Sequence, residues 1–581
     1  MGNFGLNYDI TDWLSISGNI GMDNYITKTS VRWAKGSSGD APTYWRFGGN
    51  RDGSKGFYDE DESSFFETNM DFLISFNKSI TDDFKLNLSV GGNRMYRKTT
   101  FDYRAVQLEL PGLYNLGNML AGTTLFNRNR HAESAINSLY GFGELSYKEY
   151  LFLSVTGRND WASVLPLANN SFFYPSVTLS AIITDMFDIK SSTLNYLKVR
   201  GGWAEVGGFG PLGPSDILPV YALSSLPWNG NTFGNYPTTL NNTNIKTQST
   251  VGLEGGIELR MINNRIRLSV TGYDQTSTDL VIPVQVTRAS GVARVWDNIG
   301  ELRNKGIEIQ LGGTLVKSRN DFSVDVDVNF ARNRNKVIKA GKDDSNNDES
   351  LIIGGMWNMD LQVREGYSYG VIVGPSLART ATGDVIYRNG LPVIGETKVL
   401  GGIEPDWTGG VNLGINYKNI SFSTLVDAKI GGEVYSMTSA WGRYAGILNE
   451  TLVGRETGIV GDGVMLSDNG TYVPNNVVVS AETFNHYAYS NDIVETSVFD
   501  ASYVKLRQVA LSYSLPRSLA SDLGLESVNL SLIGRNLAIL YRKAPHIDPE
   551  TGFDNSNSQQ GQEFGQLPSA RSIGVSLKVK F

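Results

Sequence analysis

The chain is 581 residues long, with Gly 64, Tyr 27, Phe 25, Trp 10, no cysteine and a formal net charge of -8; its mean hydropathy is -0.20 and its pI near 5.2. This acidic balance lacks the basic footprint of a nucleic-acid binder, so no nucleic acid is expected among its partners, and the missing cysteines remove disulfides, thiolate metal sites and cysteine nucleophiles together. No run of about 18 apolar residues predicts a transmembrane helix, yet a membrane crossed by strands is still allowed, because barrel strands hide their hydrophobicity in alternation.

In chain order, Phe4, Leu6, Tyr8 and Ile10 alternate with polar positions. A corner at Asp9-Ile10-Thr11-Asp12 leads into a second alternating run from Trp13 to Met22, which reads as a hairpin. A polar, glycine-rich connection is predicted from about Ser30 to Ser63. The pattern then returns with Phe66, Met70, Phe72, Ile74 and Phe76, turns at 79–83, and continues through Phe84, Leu86, Leu88 and Val90. Further strands are predicted near 136–148 and 150–160, 172–185 and 194–206, 247–261 and 265–280, 298–316 and 321–336, 404–418 and 419–432, 500–515 and 527–541, and 570–581, with no helical spacer. Partners meet at brief turns such as Tyr147-Lys148-Glu149-Tyr150, and tens of residues separate the pairs. Short turns on one side and long loops on the other predict an all-β fold, a transmembrane antiparallel β-barrel of the outer membrane.

The clearest segment is Phe322 to Phe330, where Phe322, Val324, Val326, Val328 and Phe330 share one parity and Ser323, Asp325, Asp327 and Asn329 the other. A sandwich strand with one wet face has the same pattern. The count separates the two: about seventeen such strands exceed an ordinary sandwich, and no fixed repeat of a propeller or β-helix is present. Single-chain barrels of this kind hold an even number of strands. An odd tally, with no leader visible at the first residue, gives the expectation that residues 1–581 are the C-terminal part of a longer chain.

Several stretches resemble the SusC/RagA family of TonB-linked outer-membrane transporters: Thr156-Gly157-Arg158-Asn159-Asp160-Trp161 with Phe172-Phe173-Tyr174-Pro175-Ser176-Val177, Asn298-Ile299-Gly300-Glu301 running to Glu308, Pro405-Asp406-Trp407-Thr408-Gly409-Gly410, Ala501-Ser502-Tyr503-Val504-Lys505-Leu506-Arg507 running to Leu515-Pro516, Gly534-Arg535-Asn536-Leu537 and Asp548-Pro549-Glu550. The resemblance implies a barrel of about 22 strands filled by an N-terminal plug. It also implies a SusD-like surface lipoprotein acting as a hinged lid, and energy from TonB-ExbB-ExbD. On that reading the plug, TonB box, signal peptide and first strands are expected to lie outside this sequence. The expected function is import of glycan, oligosaccharide or peptide, as the channel subunit of a SusCD-like complex seated in outer-membrane lipid. The alternatives are a passive porin-like pore and a secreted carbohydrate-active β enzyme or adhesin, which would stay soluble without detergent.

No catalytic residue and no metal site is expected. His131, His486 and His546 are scattered without HExxH spacing, and neither a nucleophile elbow nor a phosphate loop occurs. Asp325 and Asp327 lie two apart on one strand, a pairing a glycosidase could use, but a polar lumen wall is the favoured account of them. Glu67, Asp71, Glu254, Glu258, Asp325, Asp327 and Asn329 are lumen- or plug-facing candidates by parity. The acidic run 342–349 has the oxygen ligands for a calcium ion in a surface loop; no other cofactor is expected. Trp228, Trp357, Trp441, Tyr435 and Tyr444 fall in predicted extracellular loops, where rings stack on sugars or pack peptide side chains. Tyr8, Phe76, Phe84, Tyr147, Tyr150 and Tyr417, beside short turns, read as an aromatic girdle. Phe581 ends an alternating strand, Ile573 to Phe581, and resembles a barrel-assembly signal.

Overall fold

The computed structural model describes residues 2–35, 56–123, 125–214, 216–218, 220–223, 229, 231–341, 350–490, 492–553 and 560–581. They fall into two compact units: Met1–Leu179, Gly202–Val251 and Ser277–Gly300 form one, and Ser180–Gly201, Gly252–Thr276 and Glu301–Phe581 the other.

In the first unit, β1 (Gly2–Thr11), β2 (Leu14–Trp33), β3 (Phe57–Ser79), β4 (Phe84–Gln107), β5 (Phe126–Tyr147) and β6 (Leu151–Ala162) pair antiparallel, each with the next. Register places Phe76 between Leu14 and Leu88 and Ile74 between Ile16 and Val90, while Asp71 sits between Asn19 and Asn93. One face of the ladder is therefore an apolar lattice and the other a hydrogen-bonding one, as period-two alternation requires. The turn at Lys148 and Glu149 has φ of 47° and 56°, the left-handed pair of a two-residue hairpin whose twist matches its strands.

Next in the chain come β7 (Ser171–Ile182), β8 (Leu194–Gly208), β9 (Gln248–Met261), β10 (Ile266–Gln285) and β11 (Arg294–Lys317). In the second unit, β11 from Glu301, β12 (Phe322–Lys339), β13 (Trp407–Tyr417), β14 (Ile420–Ile430), β15 (Tyr503–Ser514), β16 (Ser527–Arg542) and β17 (Ser572–Lys580) continue the same antiparallel succession. Seventeen long strands thus occur among the described residues, in agreement with the tally from alternation.

Two features differ from expectation. The connection predicted from Ser30 to Ser63 is shorter at both ends, since β2 reaches Trp33 and β3 starts at Phe57; residues 36–55 of it lie outside the described residues. About ten residues of strand cross a bilayer; beyond them both faces meet water, so the apolar row ends while the ladder goes on. Cross-strand polar pairs support that rim, among them Lys28 with Glu62 at 2.9 Å and Ser64 with Thr100 at 2.5 Å. The long connections of the second unit are also folded. Residues Ser350–Met356, Met359–Arg364, Val371–Leu377 and Ile394–Gly402 form a four-stranded antiparallel sheet. Helices α1 (Met437–Tyr444) and α2 (Ala481–Ser490) follow, correcting the expectation of no helical spacer. Ser436 caps α1 by accepting from the Ser439 amide. Met356, Met359, Leu361, Ile372, Tyr435, Met437, Ala440 and Val494 close a core between these pieces.

Candidate functional site

On the polar face of the second unit, β8 to β10 supply Arg200, Glu258 and Arg267, and β11 and β12 supply Glu308, Gln310, Asp327 and Asn329, around a cavity of about 660 Å³. Arg267 Nη2 reaches Asp327 Oδ1 at 3.2 Å. Arg200 lies 3.9 Å from Glu258 and donates to Thr271 Oγ1 at 2.9 Å. Three of the predicted wall residues, Glu258, Asp327 and Asn329, therefore share one cavity. Asp325, two residues along, accepts from Thr314 Oγ1 at 2.6 Å, and Glu254 is exposed on the parity of Glu258. The first unit holds the other two. Glu67 pairs with Arg97 at 2.8 Å beneath the Phe65 ring, and Asp71 Oδ1 accepts from Asn19 Nδ2 at 3.2 Å. Cations interleave with acids along both walls, so each presents paired charges and hydrogen-bonding groups and not a single-sign field.

The second element is built on the folded connections. Trp357 occupies the turn between Ser350–Met356 and Met359–Arg364. Its φ of 54° is a left-handed conformation that a bulky residue adopts only against steric cost. Its ring meets Trp441 of α1 at 5.9 Å and Phe564 at 5.2 Å, both edge to face. Trp441 in turn contacts Phe564 at 5.1 Å and Tyr489 of α2 at 6.1 Å. Tyr444 stacks on His486 at 4.4 Å and tilts against Tyr489 at 4.9 Å. Four segments distant in sequence thus converge on one aromatic platform, whose Trp357 and Trp441 remain 50% and 43% exposed. Edge-to-face packing locks the rings while leaving area open for a ligand. Tyr435 lies in the core beneath, buried, with its hydroxyl 3.9 Å from Met437 Sδ. Trp228 and the acidic run 342–349 lie outside the described residues. Phe564 and Tyr489 carry no signal in the sequence, and His486 stands there only as one of three scattered histidines; no spacing links them to Trp357, and only the fold does.

Buried polar groups fix the segments that flank Phe564. Glu563 is 1% exposed and accepts from Ser436 Oγ at 2.7 Å and Thr438 Oγ1 at 2.6 Å, which fixes the start of α1 beside Phe564. Lys505 Nζ donates to Asp548 Oδ1 and Glu550 Oε2, both at 2.6 Å, and to Ser569 Oγ at 3.2 Å. Arg507 bridges the same Glu550, at 2.7 Å through Nη1, to Asp427 at 2.9 Å through Nη2. Burial opposes ionisation of Asp548, but the hydrogen bonds from Lys505 and Ser569 outweigh it and hold the carboxyl down at about 2. For Glu550 the same burial is outweighed by Arg507 and Lys505, and its carboxyl is lowered as well. Two stretches of the family resemblance, Lys505 to Arg507 and Asp548 to Glu550, are thus the two halves of one ion cluster, which pins residues 548–550 and 569 to β15 and β14.

The predicted girdle is assembled at the short turns. Phe84 meets Tyr147 at 4.8 Å, Tyr147 meets Tyr150 at 5.5 Å, Trp13 meets Phe76 at 5.3 Å and Phe322 meets Tyr417 at 6.4 Å. Tyr8 is exposed on β1, and Phe581 is 90% exposed beyond β17.

Residues 23–537 match the family described as "TonB dependent receptor-like, beta-barrel". The TonB-dependent receptor P3 of Formosa agariphila is 25% identical over 545 residues, 87% of this chain and 52% of its own length. The TonB-dependent receptor SusC of Bacteroides thetaiotaomicron is 28% identical over 229 residues, 38% of this chain and 23% of its own length. Among solved structures, the RagAB peptide transporter superposes with a TM-score of 0.77 at 18% identity, covering 100% of this chain and 61% of that one. The RagAB peptide importer in its open-open state gives 0.79, also at 18% identity, over 100% of this chain and 60% of that one. The chain spans about half the length of the Formosa receptor it matches. It belongs to the TonB-dependent receptor-like β-barrel family, and it is an outer-membrane protein.

Proposed function

We propose that this chain forms the channel part of an outer-membrane nutrient importer. A SusD-like lipoprotein closes over its long connections, and TonB-ExbB-ExbD supplies energy through a part of the protein outside this sequence. The observation that carries the reading is the aromatic platform of Trp357, Trp441 and Phe564, where a strained tryptophan and three separate segments keep open rings on the long-connection side. Strain retained at a surface turn is a pointer to binding. The cargo class is an oligosaccharide or a peptide, each of which offers apolar faces to flat rings and hydrogen-bonding groups to a polar wall. The wall of Arg200, Glu258, Arg267 and Asp327 lines the route, and no covalent step on the cargo is part of the proposal. That RagAB is a peptide importer favours testing peptides first.

The test is uptake of labelled peptides and oligosaccharides by cells carrying the complete protein with Trp357→Ala and Trp441→Ala together. A loss of at least about tenfold is expected from removing two stacking surfaces, at unchanged outer-membrane level. Unchanged uptake overturns the platform, and uptake that persists after the proton-motive force is collapsed favours a passive pore. Phe581 is proposed as the assembly signal, so its deletion lowers the amount of protein in the outer membrane; an unaltered level in membrane fractions removes that role.

A further inference from the structure

The lipid-facing lattice of the first unit contains a depression that the import reading does not use. On its apolar parity, register places Leu6, Gly18, Phe72, Gly92 and Leu139 in one row. The next row away from the short turns is Phe4, Ile20, Met70, Arg94, Asn137 and Trp161. At Gly18 the wall sinks, whereas at Gly92 the Leu139 Cδ2 already lies 3.4 Å from where a Cβ would stand. A Cβ at Gly18 would meet nothing nearer than the Asp71 carbonyl oxygen at 3.8 Å. The result is a groove of about 600 Å³ with walls of Leu6, Ile20, Met70, Phe72, Leu139 and Trp161.

Arg94 stands at one end of that groove. It lies ten residues along β4 from Phe84, which at about 3.3 Å per residue and a tilt near 40° is roughly 25 Å of membrane depth, the full height of a barrel's apolar band. Phe84 belongs to the lower girdle, and Phe66 and Tyr96, 6.4 Å apart, stand one to two rows beyond Arg94. Arg94 is therefore at headgroup height on the long-connection side. Its cationic neighbours are engaged, Lys98 with Glu133 at 3.8 Å and Arg97, on the opposite face, with Glu67 at 2.8 Å. Arg94 is exposed and has no ion-pair partner among the described residues. An unpaired guanidinium at the edge of hydrocarbon is costly unless an anion meets it there, and guanidinium is the side chain best matched to phosphate.

We propose that this groove is a binding site for a phosphorylated acyl lipid of the outer leaflet. One acyl chain lies over Gly18, between the Leu6, Phe72 and Leu139 side chains, and the headgroup phosphate accepts hydrogen bonds from Arg94. Apolar walls alone would accept any lipid; the arginine at the mouth makes the site selective for an anionic one.

The test uses the complete protein, stripped of lipid in detergent and reconstituted with phosphatidylglycerol or phosphatidylcholine of the same chain length, with retained lipid counted by native mass spectrometry. Phosphatidylglycerol is expected to be retained about fivefold better, the contribution of one basic residue at an anionic surface. Arg94→Gln abolishes the preference and Arg94→Lys keeps part of it. Gly18→Leu, which fills the groove, lowers retention of both lipids, and Arg97→Gln on the opposite face changes neither. Equal retention of the two lipids by the unaltered protein overturns the proposal. So does an undiminished preference in Arg94→Gln, or displacement of the lipid by inorganic phosphate alone, which would mark a soluble-anion site. A co-purifying protein that protects Arg94 from modification in place of lipid also overturns it.

Discussion

The lipid-facing wall of β1 to β5 and the folded connections around α1 and α2 use the same apolar residue types in opposite ways. In the wall, Val90 and Leu139 are 56% and 61% exposed, whereas in the connections Met359, Leu361 and Ile372 are completely buried. The difference follows from the solvent. Hydrocarbon accepts apolar side chains without penalty and demands that the backbone be paired, which the ladder does; water demands that the same side chains be removed from contact. One chain therefore carries two folding codes, outward alternation and a conventional core, and a substitution reads differently in each.

The largest expected break is in the ion cluster. Lys505→Ala leaves Asp548 buried beside Ser569 without its cation, and removing one partner of a buried pair costs about 3–5 kcal/mol. Lys28→Ala, which removes an exposed pair with Glu62, costs under about 1 kcal/mol. Urea unfolding in detergent, followed by tryptophan fluorescence, measures both; equal midpoints for the two variants would mean that the cluster holds nothing in place. The next break contrasts two leucines. Leu361→Ala opens a cavity in the connection core and costs about 2–5 kcal/mol, while Leu88→Ala faces hydrocarbon and costs little. Leu88→Arg, by contrast, costs about 2–4 kcal/mol near the bilayer midplane, comparable with Leu361→Ala. Heat-modifiability on gels reports the wall, and protease sensitivity of residues 350–500 the connections. If Leu88→Ala proved as damaging as Leu361→Ala, the apolar row would not be facing lipid.

These two codes explain what could be read from the sequence. The strands at Phe322 to Phe330 and Ile573 to Phe581 announce themselves because hydrocarbon on one face and polar groups on the other impose strict alternation over their length. β2 beyond Met22 and β3 before Phe66 do not, since above the membrane Lys28, Glu62, Ser64 and Thr100 satisfy one another on a surface that is wet on both sides. Parity alone brought Glu258, Asp327 and Asn329 to one cavity, because parity is all that a wall position requires. The aromatic platform was half readable. Trp357, Trp441 and Tyr444 stand out as loop aromatics, but Tyr489 joins them from a separate helix and Phe564 from a segment more than a hundred residues away, separations for which no local period exists. The ion cluster was present as motifs, and its pairing was not, since Lys505 and Asp548 have no spacing that marks them as partners.

Acid should loosen the contacts that pin residues 548–550. Asp548 is held at about 2, below the ordinary carboxylate range, and Glu550 is lowered too. A carboxyl whose folded pKa is depressed contributes stability that is fully present above its unfolded value and lost as pH falls through the folded one. For Asp548 the loss runs from about pH 4 down to about pH 2 and amounts to roughly 2 kcal/mol. Unfolding midpoints of the complete protein are expected to fall over this window, and Asp548→Asn is expected to flatten that part of the profile. An unchanged profile in the variant would assign the acid sensitivity to other groups.

The smallest expected effect on stability is the most informative about binding. Trp357→Asn places at φ 54° a residue that tolerates the left-handed region, recovering about 1–2 kcal/mol. It also removes the edge-to-face contacts with Trp441 and Phe564, worth about 0.5–1.5 kcal/mol each. The two terms largely offset, so the unfolding free energy should fall by no more than about 2 kcal/mol. A tryptophan kept for packing alone would gain nothing from the strained turn, since an unstrained site could hold the same ring. If the ring is kept for cargo, Trp357→Asn lowers uptake by about tenfold at nearly constant stability. A loss of stability above about 2 kcal/mol with normal uptake would instead make Trp357 part of the core that closes over Met356 and Met359, and the comparison between wall and connections would then stand without a binding role for the platform.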